Sequence, residues 1–172
     1  KIVMKKILAL SFVLFFALNL FCQNSVKKTA VQLKTEALKE DSVQDSIDFL
    51  KANIELAQSN SDKRAILYFL GNLQEQLGLY TDACKTYVKA AAITASNVNG
   101  MKKVSSEQIV LDAVRTSLCS GDWENAQRFL NSSVRSSKNE KIICYVNLYE
   151  IWAKLCKAAD FSQVQDSLVL LE

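Results

Sequence analysis

The hydrophobic residues of this chain recur at intervals of three and four positions, which is the period of one face of an α-helix. Two such stripes occupy the stretch from 25 to 60: Val26, Ala30, Leu33 and Ala37, then Val43, Ile47, Leu50, Ile54 and Ala57. Between the stripes, Asp41 and Gln44 have the spacing of a capping box that starts the second helix. The pattern predicts a first pair of helices.

The stretch from Arg64 to Asn97 predicts two further amphipathic helices joined by a tight turn. Gly71 and Ala83 place small side chains where the two helices would cross, and small side chains let helix axes approach to about 8–10 Å. Gly78 follows the last apolar residue of the first helix and suits the left-handed residue that closes a helix. Thr81 is then expected to cap the second helix.

The stretch from 105 to 137 repeats this arrangement. Ser105 and Gln108 are spaced as a capping box at its start, and the pair Asn99 and Gly100 marks a turn in the loop before it. Its key residues keep the spacing of the previous stretch: Gly121, Trp123, Ala126 and Leu130 correspond to Gly78, Tyr80, Ala83 and Tyr87. Matched small and aromatic residues in successive helix pairs indicate a chain built from stacked repeats.

The last stretch, from 139 to 172, predicts a third copy with weaker spacing. Ala159 takes the turn position, and Asp160 and Gln163 form a further capping box. The stretch ends in the apolar run 168–171. Because a stack of repeats needs a polar end to remain soluble, we expect self-association through this helix, or a natural chain that continues past residue 172.

Several of these residues match the tetratricopeptide repeat, whose pattern is W-x2-L-G-x2-Y, then A-x3-F, then P. The stretch from Arg64 to Asn97 resembles this repeat at Leu70, Gly71, Gly78, Tyr80, Ala83, Tyr87 and Ala90, and departs from it at Leu67, Gln74 and Ala95. The resemblance implies an all-α fold, an α-solenoid of about four antiparallel helix pairs at about 25–60, 62–97, 105–137 and 139–172. These pairs would form one tetratricopeptide-like domain over residues 24–172.

The same resemblance implies a protein–protein interaction scaffold that holds a peptide or a helix of a partner in the concave groove of the stack. The register assigns six residues to this groove: Tyr68, Asn72, Gln76, Gln108, Arg115 and Tyr149. Tyr68 stands where family members that clamp a carboxylate carry a lysine, which argues against an acidic C-terminal peptide. The alternative is that these residues are only solvated side chains without a partner.

The N-terminal segment has the pattern of a secretory signal peptide, which we assign to residues 1–23. A positively charged start is followed by an apolar run from Ile7 to Leu18 and by the polar Asn19. The run is shorter than the roughly 20 residues of a membrane span, which argues against an uncleaved anchor. The segment would be processed in one of two ways, by cleavage after Cys22 or by lipidation of Cys22. The residues before Met4 are expected to precede the initiator methionine.

The composition limits the chemistry. The chain contains no histidine and no proline. The absence of proline agrees with uninterrupted helices, and the absence of histidine removes histidine-dependent nucleophilic catalysis and the most common metal ligand. We therefore expect no catalytic site, no metal and no cofactor. The cysteines after the N-terminal segment lack the spacing of zinc sites, and we expect them to be unpaired, buried thiols: Cys84, Cys119, Cys144 and Cys156.

The charge excludes one class of partner. Of the 21 lysine and arginine residues, Lys1, Lys5 and Lys6 lie in the N-terminal segment, which leaves 18 against 18 aspartate and glutamate residues. A balanced chain provides no basic field for a phosphate backbone, so no nucleic-acid partner is expected. Membrane contact is expected only through the signal segment or a lipid anchor.

These observations together predict an exported scaffold or adaptor of the bacterial cell envelope, located in the periplasm or at the outer membrane. Two alternatives remain open at this point. One is a periplasmic protein associated with a transporter that binds a small molecule or a lipid. The other is an accessory domain of an enzyme whose catalytic part follows this chain.

Overall fold

The computed structural model of the protein describes residues 26–158, apart from the side chain of Ser133. The helices are α1 Ala30–Ala37, α2 Val43–Asn53, α3 Asn60–Gln76, α4 Tyr80–Ala91, α5 Ser106–Cys119, α6 Trp123–Leu130 and α7 Glu140–Lys157, with 3-10 turns at Ile54–Leu56 and Ser133–Ser136. Within residues 26–158 there is no β-strand, only an isolated bridge between Lys28 and Ala57. The protein is therefore all-α, as the hydrophobic period predicts.

Two parts of the sequence-based prediction lie outside the described residues. One is the signal segment 1–23 with Cys22. The other is the final helix, with its turn at Ala159, its capping box at Asp160 and Gln163 and its apolar run 168–171.

Most helices begin at a polar side chain that accepts a hydrogen bond from the first turn, as helix N-termini require. Ser105 caps α5 by accepting from the backbone N–H of Gln108, as predicted. The cap of α2 is Ser42, which accepts from Asp45, so the predicted start at Asp41 is one residue early. Helices α1, α3, α6 and α7 have their own caps: Thr29, Ser59, Asp122 and Asn139.

The turns after α3 and α5 share one geometry. Gly78 and Gly121 have φ values of 73° and 78°, the left-handed region that favours glycine. The next residue in each turn donates its N–H back into the helix, from Leu79 to Gln74 at 2.9 Å and from Asp122 to Ser117 at 2.9 Å. These are Schellman closures, and they confirm the predicted role of both glycines.

The predicted cap at Thr81 is wrong. Helix α4 begins at Tyr80, with Leu79 at the N-cap position and no side-chain hydrogen bond there. The Schellman turn at Gly78 leads directly into α4, so Thr81 already lies within the first helical turn. Its hydroxyl is too far along the helix to occupy the cap position.

The core consists of three clusters that share helices. The first joins α1, α2 and α3, the second joins α3, α4 and α5, and the third joins α5, α6 and α7. Fully buried members are, in the same order, Leu33 and Ile47, Tyr87 and Ile109, and Val114 and Leu130. Because α3 and α5 each belong to two clusters, the helices pack one after another along the chain.

The predicted apolar stripes of the first helix pair are largely buried. Ala30, Leu33 and Ala37 are fully buried on α1, and so are two predicted positions of α2. Val26 is 76% exposed and precedes the first helical residue of α1. Ile54 and Ala57 are half-buried and follow the last residue of α2. Residues outside a helix do not share its buried face, which is why the predicted stripes extend past both helices.

Candidate partner-binding groove

The small residues predicted at helix crossings bring α3 and α4 into direct contact. Gly71 faces the ring of Tyr87, and a Cβ atom added to Gly71 would lie 2.5 Å from Tyr87 Cε1. Ala83 and Ala126 are fully buried in the second and third clusters. The ring of Tyr87 therefore fills the space that Gly71 leaves, as the sequence predicts.

The hydroxyl of Tyr87 extends past Gly71 to the polar side of α3. It donates to Asn72 Oδ1 at 2.9 Å or to Glu75 Oε2 at 3.1 Å. A phenol has a single proton, so it can serve only one of these acceptors at a time. Tyr87 thus connects the apolar crossing of α3 and α4 to a polar surface on α3.

Long polar side chains join α3 to α5 across this surface. Arg115 on α5 forms an ion pair with Glu75 on α3, with Nη2 at 2.9 Å from Oε2, and also contacts Asp112 Oδ1 at 3.1 Å. The hydroxyl of Tyr68 donates to Asp112 Oδ2 at 3.0 Å, and Gln108 Nε2 approaches Asp112 Oδ1 at 3.4 Å. We call this set the groove network: Tyr68, Asn72, Glu75, Tyr87, Gln108, Asp112 and Arg115.

The centre of the groove network is removed from water. Tyr68 is 4% exposed and Asp112 is 7% exposed, whereas Asn72, Gln108 and Arg115 are half-buried. Burial raises the pKa of Asp112 above its usual value, while the hydrogen bonds from Tyr68 and Gln108 oppose this rise. A buried carboxylate needs such partners, so the network holds its half-buried members in fixed positions.

Burial also raises the pKa of the two tyrosines in the network. The pKa of Tyr87 and that of Tyr68 both lie well above the ordinary phenol value, chiefly because of desolvation and further because of the charge of Asp112. Both phenols are therefore protonated donors at neutral pH. Their chemistry in the groove is hydrogen bonding.

The structure brings four of the six predicted groove residues into one network: Tyr68, Asn72, Gln108 and Arg115. Gln76 lies one position beyond Glu75, at the end of α3, where it is exposed. Tyr149 is buried in the third cluster and stacks on Tyr145 with ring centroids 6.0 Å apart. Burial raises the pKa of Tyr149. The prediction that Tyr149 lines the groove is therefore wrong, because the residue packs in the third cluster.

Three residues of this region are absent from the sequence-based prediction: Glu75, Asp112 and Lys102. Glu75 lies three residues after Asn72, and Asp112 lies four residues after Gln108, which is the spacing of side chains on one helix face. This spacing is a signal that could have identified both carboxylates. Lys102 belongs to the loop before α5, and no helical period applies to it.

Two further aromatic residues of the predicted repeats lie at the starts of helices α4 and α6. Tyr80 begins α4 and Trp123 begins α6, and both are half-buried. Trp123 packs on the third cluster, and the ammonium of Lys157 lies 5.1 Å from its ring centroid. Neither Tyr80 nor Trp123 belongs to the groove network.

The cysteines of the described chain are all unpaired, as predicted. Their predicted burial is wrong for three of them, because Cys119, Cys144 and Cys156 are exposed while Cys84 is half-buried. The three lie on helix faces that no described element covers. A cysteine therefore does not by itself mark the buried face of a helix.

Neither a metal site nor a membrane-spanning helix is found among the described residues. Within residues 26–158, no group of three or more histidine, cysteine, aspartate or glutamate side chains is arranged to hold a metal ion. Among the described helices, none combines the length and the apolar composition needed to cross a membrane.

Comparison of the chain with family models, with curated proteins and with solved structures gives no significant match.

Proposed function

We propose that this protein is an exported scaffold of the tetratricopeptide type that binds a protein partner along the groove network. The observation that supports this proposal is the convergence of Tyr68, Asn72, Gln108 and Arg115. The sequence register assigns these residues to one face of the stack, and the structure places them in one hydrogen-bonded network. A polar surface held by a buried network is pre-organised, which reduces the entropy lost on binding.

The solenoid architecture is part of this proposal. Its support is the serial packing of the helices, in which the three core clusters share α3 and α5. The two Schellman turns at Gly78 and Gly121 give successive helix pairs the same internal turn. Repeats that contact only their neighbours expose an extended concave surface, and such surfaces bind peptides or helices.

Export to the bacterial envelope rests on the sequence of the N-terminal segment alone. Two observations would test it directly: the N-terminal residue of the protein purified from the producing cell, and metabolic labelling of Cys22 with a fatty acid. A mature chain that begins near residue 23 is the expected result. A chain that retains Met4 in the cytosolic fraction would contradict export.

The binding proposal is tested by site-specific photocrosslinking in the producing cell. A photoreactive amino acid at Gln76, which is exposed at the edge of the groove, is expected to form an adduct with a protein partner. The control position is Asp82 on α4, which is also exposed and lies outside the groove network. Equal adducts at both positions, or none at Gln76, would contradict the proposal.

Two substitutions test whether the adduct at Gln76 depends on the groove network. Arg115→Met removes the ion pair with Glu75 and the contact with Asp112, and it is expected to reduce the adduct at Gln76. Arg135→Met removes an exposed ion pair with Glu150 and serves as the matched control. If both variants retain the full adduct, the groove network does not hold the partner.

A further inference from the structure

A polar cleft of about 450 Å³ opens beside the groove network, between the loop before α5, the start of α5 and the start of α7. Tyr68, Gln108 and Asp112 of the network form one wall. The cleft is also lined by Lys102 and Lys103 from the loop and by Lys141 from α7. Two elements distant in sequence, the loop before α5 and the start of α7, therefore bring three positive charges to one concave surface.

These three lysines are exposed, and none forms an ion pair within 4.0 Å with a carboxylate among residues 26–158. Lys102 is nevertheless fixed in place. Its ammonium donates to the hydroxyl of Tyr68 at 3.2 Å and lies 5.3 Å from the centroid of the same ring. The charge of Lys102 is thus directed into the cleft wall and has no described anionic partner within ion-pair distance.

The loop that carries Lys102 and Lys103 is anchored on both sides. The buried guanidinium of Arg64 donates to Ala95 O at 2.6 Å and to Val104 O at 2.9 Å. Met101 is buried in the first core cluster. Because the backbone before and after the two lysines is held, their charges are presented at a defined place.

The carboxylate in the cleft wall offsets only part of these charges, because it is one negative charge beside three lysines. Asp112 is the one acidic residue among the described residues that line the cleft. Its Oδ2 atom accepts from Tyr68, and its Oδ1 atom contacts Arg115 at 3.1 Å. Asp112 is therefore already paired, and the three lysines leave the cleft with a net positive character.

Two helix N-termini add to the positive charge of the cleft. Ser105 and Asn139, the N-caps of α5 and α7, both line the cleft. The N-terminal end of a helix carries a partial positive charge. This contribution is small beside that of the lysines, and it has the same sign.

From this arrangement we propose that the cleft binds an acidic segment of the protein partner, through aspartate and glutamate side chains. This inference rests on the proposed function, because the cleft continues the groove network along Tyr68 and Gln108. A protein segment fits better than a nucleic acid, since the chain outside the N-terminal segment has balanced charge.

The test measures binding of a fluorescent oligoglutamate peptide with both termini blocked to the full chain, by fluorescence anisotropy. Because the C-terminus is blocked, the side chains are the only carboxylates of the peptide that can bind. We expect saturable binding that weakens with salt, and no binding of the matched oligoglutamine peptide. Failure to bind oligoglutamate, or equal binding of both peptides, would overturn the inference.

A pair of variants with equal charge change locates the site. Replacing Lys102, Lys103 and Lys141 with glutamine is expected to weaken oligoglutamate binding by about tenfold or more. The matched control replaces three other exposed lysines, Lys51, Lys85 and Lys89. An equal loss in both variants would show attraction by net charge alone and would overturn the inference, as would tighter binding of a single-stranded oligonucleotide at the same cleft.

These outcomes are separable from those of the proposed function. If the adduct at Gln76 forms at full yield but oligoglutamate does not bind, the scaffold function stands and the acidic segment is wrong. If oligoglutamate binds at the cleft but no adduct forms at Gln76, the cleft is an anion site and the scaffold function is wrong. Circular dichroism of each variant verifies that the exposed substitutions leave the helices intact.

Discussion

Gly71 and Tyr87 are in contact at the crossing of α3 and α4, where a Cβ atom on residue 71 would lie 2.5 Å from Tyr87 Cε1 and 2.8 Å from Cδ1. The same ring carries the hydroxyl that reaches Asn72 and Glu75. One contact therefore sets both the spacing of two core helices and the position of one side of the groove network. Its strength can be measured.

Gly71→Ala is expected to destabilise the protein by about 1–3 kcal/mol, the range for overpacking in a well-packed core. In an open helix interior the same change stabilises by up to about 1 kcal/mol, because alanine is the better helix former. The sign of the effect therefore distinguishes the two situations. Chemical denaturation measures it, and the loss should be smaller in a Tyr87→Leu background. A stabilising Gly71→Ala would show that the helices do not approach this closely.

Arg64→Met is expected to cost about 2–3 kcal/mol, because it removes two hydrogen bonds from a charged donor to buried carbonyls of the loop. Amide hydrogen exchange should then accelerate in residues 95–104 before the helices are affected. Arg135→Met, which removes a half-exposed ion pair with Glu150, is the control and should change stability by no more than about 0.5 kcal/mol. Equal effects of the two variants would contradict the anchoring of the loop.

The raised pKa values of Tyr68 and Tyr87 predict a loss of stability at alkaline pH. Above about pH 10 the unfolded chain releases these phenolic protons while the folded chain retains them, so the free energy of unfolding falls as pH rises. Each buried phenol contributes a slope of up to about 1.4 kcal/mol per pH unit. Denaturation at several alkaline pH values should show this slope, and Tyr87→Phe should reduce it. An unchanged slope in Tyr87→Phe would contradict the burial of that phenol.

The four cysteines of the described chain should differ in reactivity toward a thiol reagent. Cys119, Cys144 and Cys156 are exposed, whereas Cys84 is half-buried, so a reagent reaches its sulfur less readily. Burial raises the pKa of Cys84 and that of Cys119, but Cys84 is the one of these two that is also shielded from the reagent. A slow phase in the reaction of the native protein is therefore expected from Cys84. Cys84→Ser should remove that phase and leave the fast phases unchanged. A slow phase that persists in Cys84→Ser would contradict this assignment.

The helix pairs were predictable because their signals are local. The glycines at 78 and 121 are followed at fixed intervals by an aromatic residue and an alanine, and the turn geometry depends on few residues. Gly71 was predictable for a related reason, since a small residue in the middle of an apolar face has few uses other than close packing. The register error at Asp41 arose where two adjacent polar residues, Asp41 and Ser42, compete for one cap position. The error at Thr81 arose because the turn at Gly78 leads directly into α4, whose N-cap is the apolar Leu79.

The groove was only partly predictable, because its chemistry depends on contacts between residues about 40 positions apart. The helical spacing places Asp112 on the same face as Gln108, but only the approach of Tyr68 makes Asp112 the buried centre of a network. The lysines of the loop look like solvated residues until Arg64 fixes the backbone beside them. Long-range polar contacts of this kind carry no sequence period, so no pattern reports them.

The proposed binding surface runs along α3, α5 and the loop between Ala95 and Val104. Hydrogen–deuterium exchange of the complex trapped at Gln76, compared with the free protein, measures whether a protein partner covers this surface. We predict new protection in residues 64–76 and 95–119, with little change in α6. New protection confined to α4 and α6, with the groove helices unchanged, would contradict it.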